Sequence, residues 1–458
     1  MCGIVGFINS SCALSKPELH ALADKMTARL IHRGPDDGGV WIDEKNGIAL
    51  GHRRLSIIDI SERGRQPMHS ISGRYVIVYN GEIYNHNDLR KEIESEINTS
   101  AKAAGSIAWR GHSDTEVMLA AIEKWGVIQA VKKFIGMFAF ALWDRELKTL
   151  HLVRDRMGEK PLYYGWNGKT FLFASELKGI MVHPDFKDEI NRDALSLYLR
   201  YNYIPTPYSI YKEIYKLFSG TILTINLSTP NAHSSSSFTY WSAKDIVENG
   251  AKRPFKGTLN EAVDELETRL RDTIGQQMLA DVPLGAFLSG GIDSSTVVAL
   301  MQAQSSRPIR TFTIGFNEDG YNEAHQAKEI AHYLGTDHTE SYVTPKDAME
   351  VIPKLPSLYD EPFADSSQIP TFLIAQLARQ YVTVSLSGDG GDELFGGYNR
   401  YFWGKSIWEK MKWIPPGMRF FLSKALMKKS PQDWDDFFAN YGKFMPLKFR
   451  QRTPGDKL

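Results

Sequence analysis

An apolar run at residues 282–288 passes without a spacer into Ser289-Gly290-Gly291-Ile292-Asp293-Ser294-Ser295, and a helical pattern follows over 294–304. The strand–turn–helix order then recurs. A second strand is predicted at 310–316, a helix at 323–334, and a third strand-like run at 381–386 ends in Ser387-Gly388-Asp389-Gly390-Gly391-Asp392. A helical pattern over 259–280 leads in. Strands alternating with helices predict an α/β parallel sheet, because a parallel neighbour needs a crossover long enough to hold a helix. Ligands of such sheets gather beyond the carboxyl ends of the strands, where both Gly-rich loops fall.

The first half has another rhythm. Short apolar runs at 3–8, 75–79, 137–143 and 149–154 are separated by Gly, Asn and Asp turns, with helical patterns at 16–30 and 115–125. This order predicts antiparallel sheets flanked by helices. The run Asn231-Ala232-His233-Ser234-Ser235-Ser236-Ser237 is polar and low in complexity, as exposed linkers are. The expected domains are 2–220 and 256–458, joined by a linker at 221–255.

Composition removes several classes of function. Fifty-four basic side chains balance fifty-four acidic ones, so no global positive field exists to hold nucleic acid or an anionic membrane. No apolar run approaches the ~18 residues of a membrane span. The N-terminus lacks the basic region that opens a signal peptide. Two cysteines, Cys2 and Cys12, are too few for a disulfide framework or a cysteine zinc site. The expectation is a soluble enzyme of the reducing cytoplasm, with small-molecule substrates and neither nucleic acid nor membrane as partner.

Cys2 directly follows Met1. A small residue there lets the methionine be removed, leaving a thiol beside a free α-amine whose pKa is ordinarily near 8. That amine can take the thiol proton, directly or through water, as N-terminal nucleophiles do. Alone, such a cysteine is more often a small buried hydrophobe. Its company changes the reading. Met1-Cys2-Gly3-Ile4-Val5-Gly6-Phe7 is followed by His32-Arg33-Gly34-Pro35-Asp36-Asp37, Arg54-Leu55-Ser56-Ile57-Ile58-Asp59, Tyr79-Asn80-Gly81-Glu82-Ile83-Tyr84-Asn85 and Ser113-Asp114-Thr115-Glu116. In this order the motifs resemble the class II glutamine amidotransferases, and most closely the glutaminase half of asparagine synthetases.

The resemblance implies Cys2 as nucleophile, with the Asn80 side chain and the Gly81 N–H as oxyanion donors. It implies Arg54 for the glutamine carboxylate, and Glu82 and Asp114 for its ammonium. A planar guanidinium suits a carboxylate, and amide hydrolysis needs donors where oxyanion charge develops. Singly, Arg54 or Asp114 would read as a surface ion-pair partner, and Asn80-Gly81 as a type I′ turn. His32 and Arg33 are expected to brace the loop, with no chemical step.

The loop at 289–295 lacks the Walker A lysine and resembles instead the PP-loop of ATP pyrophosphatases. Backbone N–H groups and hydroxyls before a helix N-terminus suit phosphate oxygens, although Ser and Asp there also serve as ordinary N-caps. The second loop, in Ser385-Leu386-Ser387-Gly388-Asp389-Gly390-Gly391-Asp392-Glu393-Leu394-Phe395-Gly396-Gly397-Tyr398, resembles the other signature of the asparagine synthetase domain. The resemblance implies ATP contacts at Phe287, Ser289, Gly290, Gly291, Asp293, Ser294, Ile314, Ser387 and Gly388. It implies Mg²⁺ ligands at Asp293 and Asp392, and support of adenylate formation at Asp389. The segment 358–365 also resembles a stretch near nucleotide and aspartate. The implied architecture is an α+β N-terminal nucleophile domain, an αββα sandwich, followed by an α/β parallel-sheet ATP pyrophosphatase domain. The implied reaction converts aspartate, glutamine and ATP to asparagine, glutamate, AMP and pyrophosphate through β-aspartyl-AMP. The resemblance also allows a homodimer.

Three departures stand out. Relatives commonly carry Glu at the position of Asp389, one methylene longer, or about 1.5 Å of reach. Asp-Gly-Gly-Asp variants occur in a bacterial branch with members linked to surface polysaccharide synthesis, which makes a sugar carboxylate the rival acceptor. The segment 95–110 is expected to be a surface insertion. Relatives continue a hundred residues or more past the end of this chain and carry their catalytic lysine there. The C-terminal domain is therefore expected to be incomplete, with apolar surface exposed, and a glutaminase-only remnant is the rival from another class.

Overall fold

The computed structural model describes residues 1–99, 107–228, 235–316, 322–430, 432–434 and 436. It divides into two compact units, Met1–Gly388 and Asp389–Leu458. Part of the polar run at 231–237, part of the expected insertion at 95–110 and the final residues lie outside the described residues.

The first twelve strands are β1 (Gly3–Asn9), β2 (Asp37–Asp43), β3 (Ile48–Arg54), β4 (Met68–His69), β5 (Tyr75–Ile83), β6 (Gly136–Asp144), β7 (Thr149–Arg154), β8 (Tyr163–Asn167), β9 (Thr170–Ala174), β10 (Ile214–Lys216), β11 (Thr221–Asn226) and β12 (Ser235–Thr239). They form two six-stranded antiparallel sheets, ordered β10-β8-β9-β1-β3-β2 and β12-β11-β7-β6-β5-β4. The central strands read as continuous apolar runs because both of their faces are buried. On β1, Ile4 and Ile8 point into the core between the sheets, whereas Val5 and Phe7 pack under the helix Lys16–Ala28. On β5, Val76 and Val78 take the inner face, while Tyr75, Ile77 and Tyr79 face the helix Asp114–Trp125. This period-two split gives the expected αββα layering.

The expected linker at 221–255 contains two strands of the second sheet. Ile222 and Leu223 of β11 are buried, and β11 pairs with β7 over the full register from Thr221↔Arg154 to Asn226↔Thr149. The boundary expected at 220 therefore falls inside the sheet.

Four more strands, β13 (Leu284–Phe287), β14 (Arg310–Phe316), β15 (Asp337–Val343) and β16 (Val384–Leu386), form a parallel sheet ordered β15-β14-β13-β16. Sequence reading missed β15, whose Asp-His-Thr-Glu-Ser-Tyr-Val lacks an apolar run. The helices Leu259–Gln277, Ile292–Ala303 and Ala324–Leu334 contribute to its core through Ile274, Val298, Met301, Ala327 and Ala331.

In the second unit, the helices Asn399–Met411 and Pro416–Leu426 carry exposed aromatics, among them Phe402, Phe420 and Phe421. No helix among the described residues is long and apolar enough to cross a membrane.

Candidate active site

Side-chain parity brings the N-terminal motifs together. Ile48 and Leu50 of β3 lie in the core between the sheets, so His52 and Arg54 continue that face. Val76 and Val78 place Asn80 and Glu82 on the inner face of β5, and Ile4 places Cys2 on that of β1. The pairs Gly3↔Arg53 and Ile4↔His52 bring Cys2 level with Arg54 at the strand end. One cavity there is lined by Cys2, Arg54, Asn80, Gly81, Glu82 and Asp114, together with Met1, Gln66 and Lys160. Asn80-Gly81 is no turn: it pairs with Ala139 and Phe138 within the β5–β6 ladder. A side chain at Gly81 would stand 2.6 Å from the Phe138 Cα, so only glycine lets the ladder close there.

The polar groups of this cavity are buried, and several lack partners. Among the described residues, Asn80 Nδ2 and Oδ1 and Glu82 Oε1 are buried without a hydrogen bond. Such atoms are costly unless a ligand or water satisfies them. Burial, with Asp114 nearby, pushes the Glu82 carboxyl up to about 7. Burial also raises the Cys2 thiol. The Met1 amine falls to about 5, chiefly through burial and secondarily through the nearby Arg33 and Lys160 cations. Asp114 Oδ2 accepts from the Tyr79 hydroxyl at 2.8 Å and from the Ile83 N–H at 3.0 Å. The Leu55 N–H donates to Cys2 Sγ at 3.4 Å. His52, two residues before Arg54 on β3, is fully buried with Nε2–H donating to Tyr79 O at 2.9 Å, and burial lowers its pKa to about 4.

The braces around this cavity were less legible. Arg33 Nε donates to the Cys2 carbonyl at 2.9 Å, and Arg33 Nη1 meets Glu176 at 2.6 Å. His32 Nε2 lies 2.9 Å from the same carboxylate. Gln66 Oε1 accepts from the Tyr79 N–H at 2.7 Å, fixing the strand just before Asn80. Lys160 is buried against the cavity, and burial lowers its pKa. Sequence reading passed over Gln66 and Lys160, because neither belongs to a residue pattern with a chemistry of its own.

The second group of expected residues clusters at the carboxyl end of the parallel sheet. Ser289 follows β13 and Ser387 follows β16, and these strands are neighbours. The loop is closed on itself: Ser289 Oγ lies 2.9 Å from Ser294 Oγ and accepts from the Gly291 N–H at 3.1 Å. Gly388 packs so closely on the start of the helix Ile292–Ala303 that an added Cβ would lie 2.7 Å from the Ser294 N. Phe287 packs against the buried cluster of Phe312, Ala378 and Val382. Ile314 lies on β14, beside β13. Asp293, half-buried, stands in the first turn of that helix. Among the described residues no three acidic, histidine or cysteine side chains gather to hold a metal. One carboxylate with phosphate oxygens is the pattern Mg²⁺ commonly uses, and Asp293 fits it. Asp389 and Asp392 open the second unit, Asp392 on the short helix Gly391–Phe395.

Comparison with known proteins matches two successive stretches of the chain separately. A family model described as a glutamine amidotransferase domain matches residues 1–241, and one described as asparagine synthase matches residues 265–454. A Methanocaldococcus jannaschii protein, provisionally named a glutamine-hydrolysing asparagine synthetase, is 39% identical over 94% of this chain and 81% of its own length. Asparagine synthetase 1 of Bacillus subtilis is 36% identical over 92% of this chain and 62% of its own length.

Proposed function

Because the chain belongs to the glutamine-hydrolysing asparagine synthetase family, we propose that it transfers the amide nitrogen of glutamine to aspartate at the expense of ATP. The observation that carries this reading is the meeting of six motif residues in one cavity whose Asn80 and Glu82 atoms await partners.

In this reading Met1 is removed and the Cys2 α-amine accepts the thiol proton. An α-amine ordinarily titrates near 8, so a fraction of it is neutral at physiological pH, and the neutral amine is the form able to act as a base. The thiolate attacks the glutamine amide carbon. Asn80 Nδ2 and the Gly81 N–H donate to the resulting oxyanion. Arg54 holds the α-carboxylate, and Glu82 with Asp114 holds the α-ammonium. The Cys2 α-ammonium returns the proton to the leaving nitrogen, ammonia departs, and water later releases glutamate from the thioester.

ATP supplies AMP as the leaving group that aspartate lacks. Ser289, Gly290, Gly291 and Ser294 would meet its phosphates by exchanging their mutual hydrogen bonds for bonds to oxygen. Gly388, having no side chain, lets the second loop pack against the start of the helix Ile292–Ala303. Asp293 would hold Mg²⁺. Two free cysteines, one needed as a thiol, suit a reducing compartment such as the cytoplasm. The matches favour neither a sugar-carboxylate acceptor nor a glutaminase-only remnant.

The test is synthesis by purified protein, with asparagine, AMP and pyrophosphate measured. Cys2→Ala should abolish glutamine-dependent synthesis and leave ammonia-dependent synthesis intact. Survival of glutamine use in that variant would remove Cys2 as nucleophile. Pyrophosphate release without aspartate dependence would remove aspartate as acceptor.

A further inference from the structure

Arg54 does not hold its pose alone. Its Nη1 donates to the Ser61 carbonyl at 2.9 Å, and its Nη2 donates to the Asp59 carbonyl. Two of its donors are thus spent on one loop, and the aim of the remaining fork depends on where that loop stands. Asp59 is an awkward residue to hold in place: it is buried, and its φ of 53° is left-handed. Its own carboxylate is occupied by the Ser61 N–H and the His112 N–H.

The loop is held from the other half of the unit. Asp281, just before β13, accepts from the Asp59 N–H at 2.8 Å. Its own N–H donates to the Ile57 carbonyl at 2.9 Å. Its carboxylate also lies 2.7 Å from His112 Nε2, which ties in the segment next to Asp114. One side chain from the parallel-sheet half therefore supports both polar walls of the glutamine cavity.

We propose that Asp281 is a positioning residue for glutamine capture, setting through the 57–61 loop the direction in which Arg54 meets the substrate carboxylate. Nothing in the sequence motifs marks it, since its partners lie more than 160 positions away. The inference rests on the reading of Arg54 as the carboxylate-binding residue. It places glutamine affinity partly under the control of β13, whose other end carries the phosphate loop.

The experiment uses the full chain and measures glutaminase kcat and KM separately. Asp281→Ala should raise the glutamine KM by roughly tenfold while kcat stays within about twofold, because a bond that fixes ground-state binding is lost. Asp281→Asn keeps an oxygen for the Asp59 N–H and should restore most of the affinity. A glutamine KM unchanged in Asp281→Ala overturns the proposal, as does a fall in kcat alone with no rescue by Asn. Should Asp281→Ala fail to fold, His112→Ala, at a side chain more than half exposed, should still raise KM by about threefold, and an unchanged KM there also overturns it. Arg54→Lys separates the two readings. If it leaves KM unchanged, the Arg54 assignment itself fails. If it raises KM while Asp281→Ala does not, only the positioning role fails. In the double variant Arg54→Lys/Asp281→Ala, KM should be no higher than in Arg54→Lys, and fully multiplicative effects would show the two residues to be independent.

Discussion

Around Cys2 several polar atoms are buried and unsatisfied, whereas in the loop after β13 the polar groups are mostly half-buried and satisfied by one another. The first site is assembled from residues 2, 54, 80–82 and 114, which share no local segment and meet only when two sheets stack. The second is nearly contiguous at 289–294, joined by 387–388 from the neighbouring strand. A buried polar atom without a partner destabilises the empty protein and rewards the ligand that completes it. A self-bonded loop costs little while empty and must trade bonds when its ligand arrives. The cavity around Cys2 is thus prepared by the fold, and the loop after β13 by local chain chemistry.

The sharpest way to break this contrast is Asn80→Ala. If Asn80 is held unsatisfied for the oxyanion, the change should lower glutamine-dependent kcat about 10²–10³-fold. Ammonia-dependent asparagine formation should remain as in the parent. A loss smaller than about threefold would mean that the buried amide serves packing and that the Gly81 N–H suffices.

Gly388→Ala probes the other site. The new Cβ would press on the Ser294 N at 2.7 Å and the Asp293 carbonyl carbon at 3.0 Å, both backbone atoms that cannot swing aside. Overpacking of this kind costs about 1–3 kcal/mol. Pyrophosphate release should fall about ten- to hundredfold while glutaminase kcat holds. Equal loss of both activities would show the loop to be no more local than the cavity.

The same contrast explains what the amino-acid sequence disclosed. Contiguous chemistry is legible, so 289–294 could be read directly. The cavity around Cys2 was legible because each strand delivers a motif on one parity, and β1 begins where β3 and β5 end, at one edge of the sandwich. Asp281, Gln66 and Lys160 were illegible because only the tertiary fold creates their contacts. The serine-rich β12 was misread for a different reason. It is an edge strand exposed along its whole length, held by backbone pairing to β11, so it needs no apolar pattern and its composition is that of a linker.

The smallest effect is a pH limb, and it tests whether burial in the cavity is functional. Burial raises the Glu82 carboxyl to about 7, so a substantial fraction is protonated at neutral pH in the empty protein. Capture of an α-ammonium needs the carboxylate. As pH falls through about 7 the ionised fraction drops, and glutamine kcat/KM should drop with it, by about threefold between pH 7.5 and 6.5. Glu82→Gln should lower kcat/KM overall and remove this limb from the profile. The control is the shape of the curve rather than its height, since a lost charge weakens binding at every pH. If the limb persists unchanged in Glu82→Gln, the titrating group is another, with the Cys2 amine next in line, and the buried carboxyl is set by packing alone.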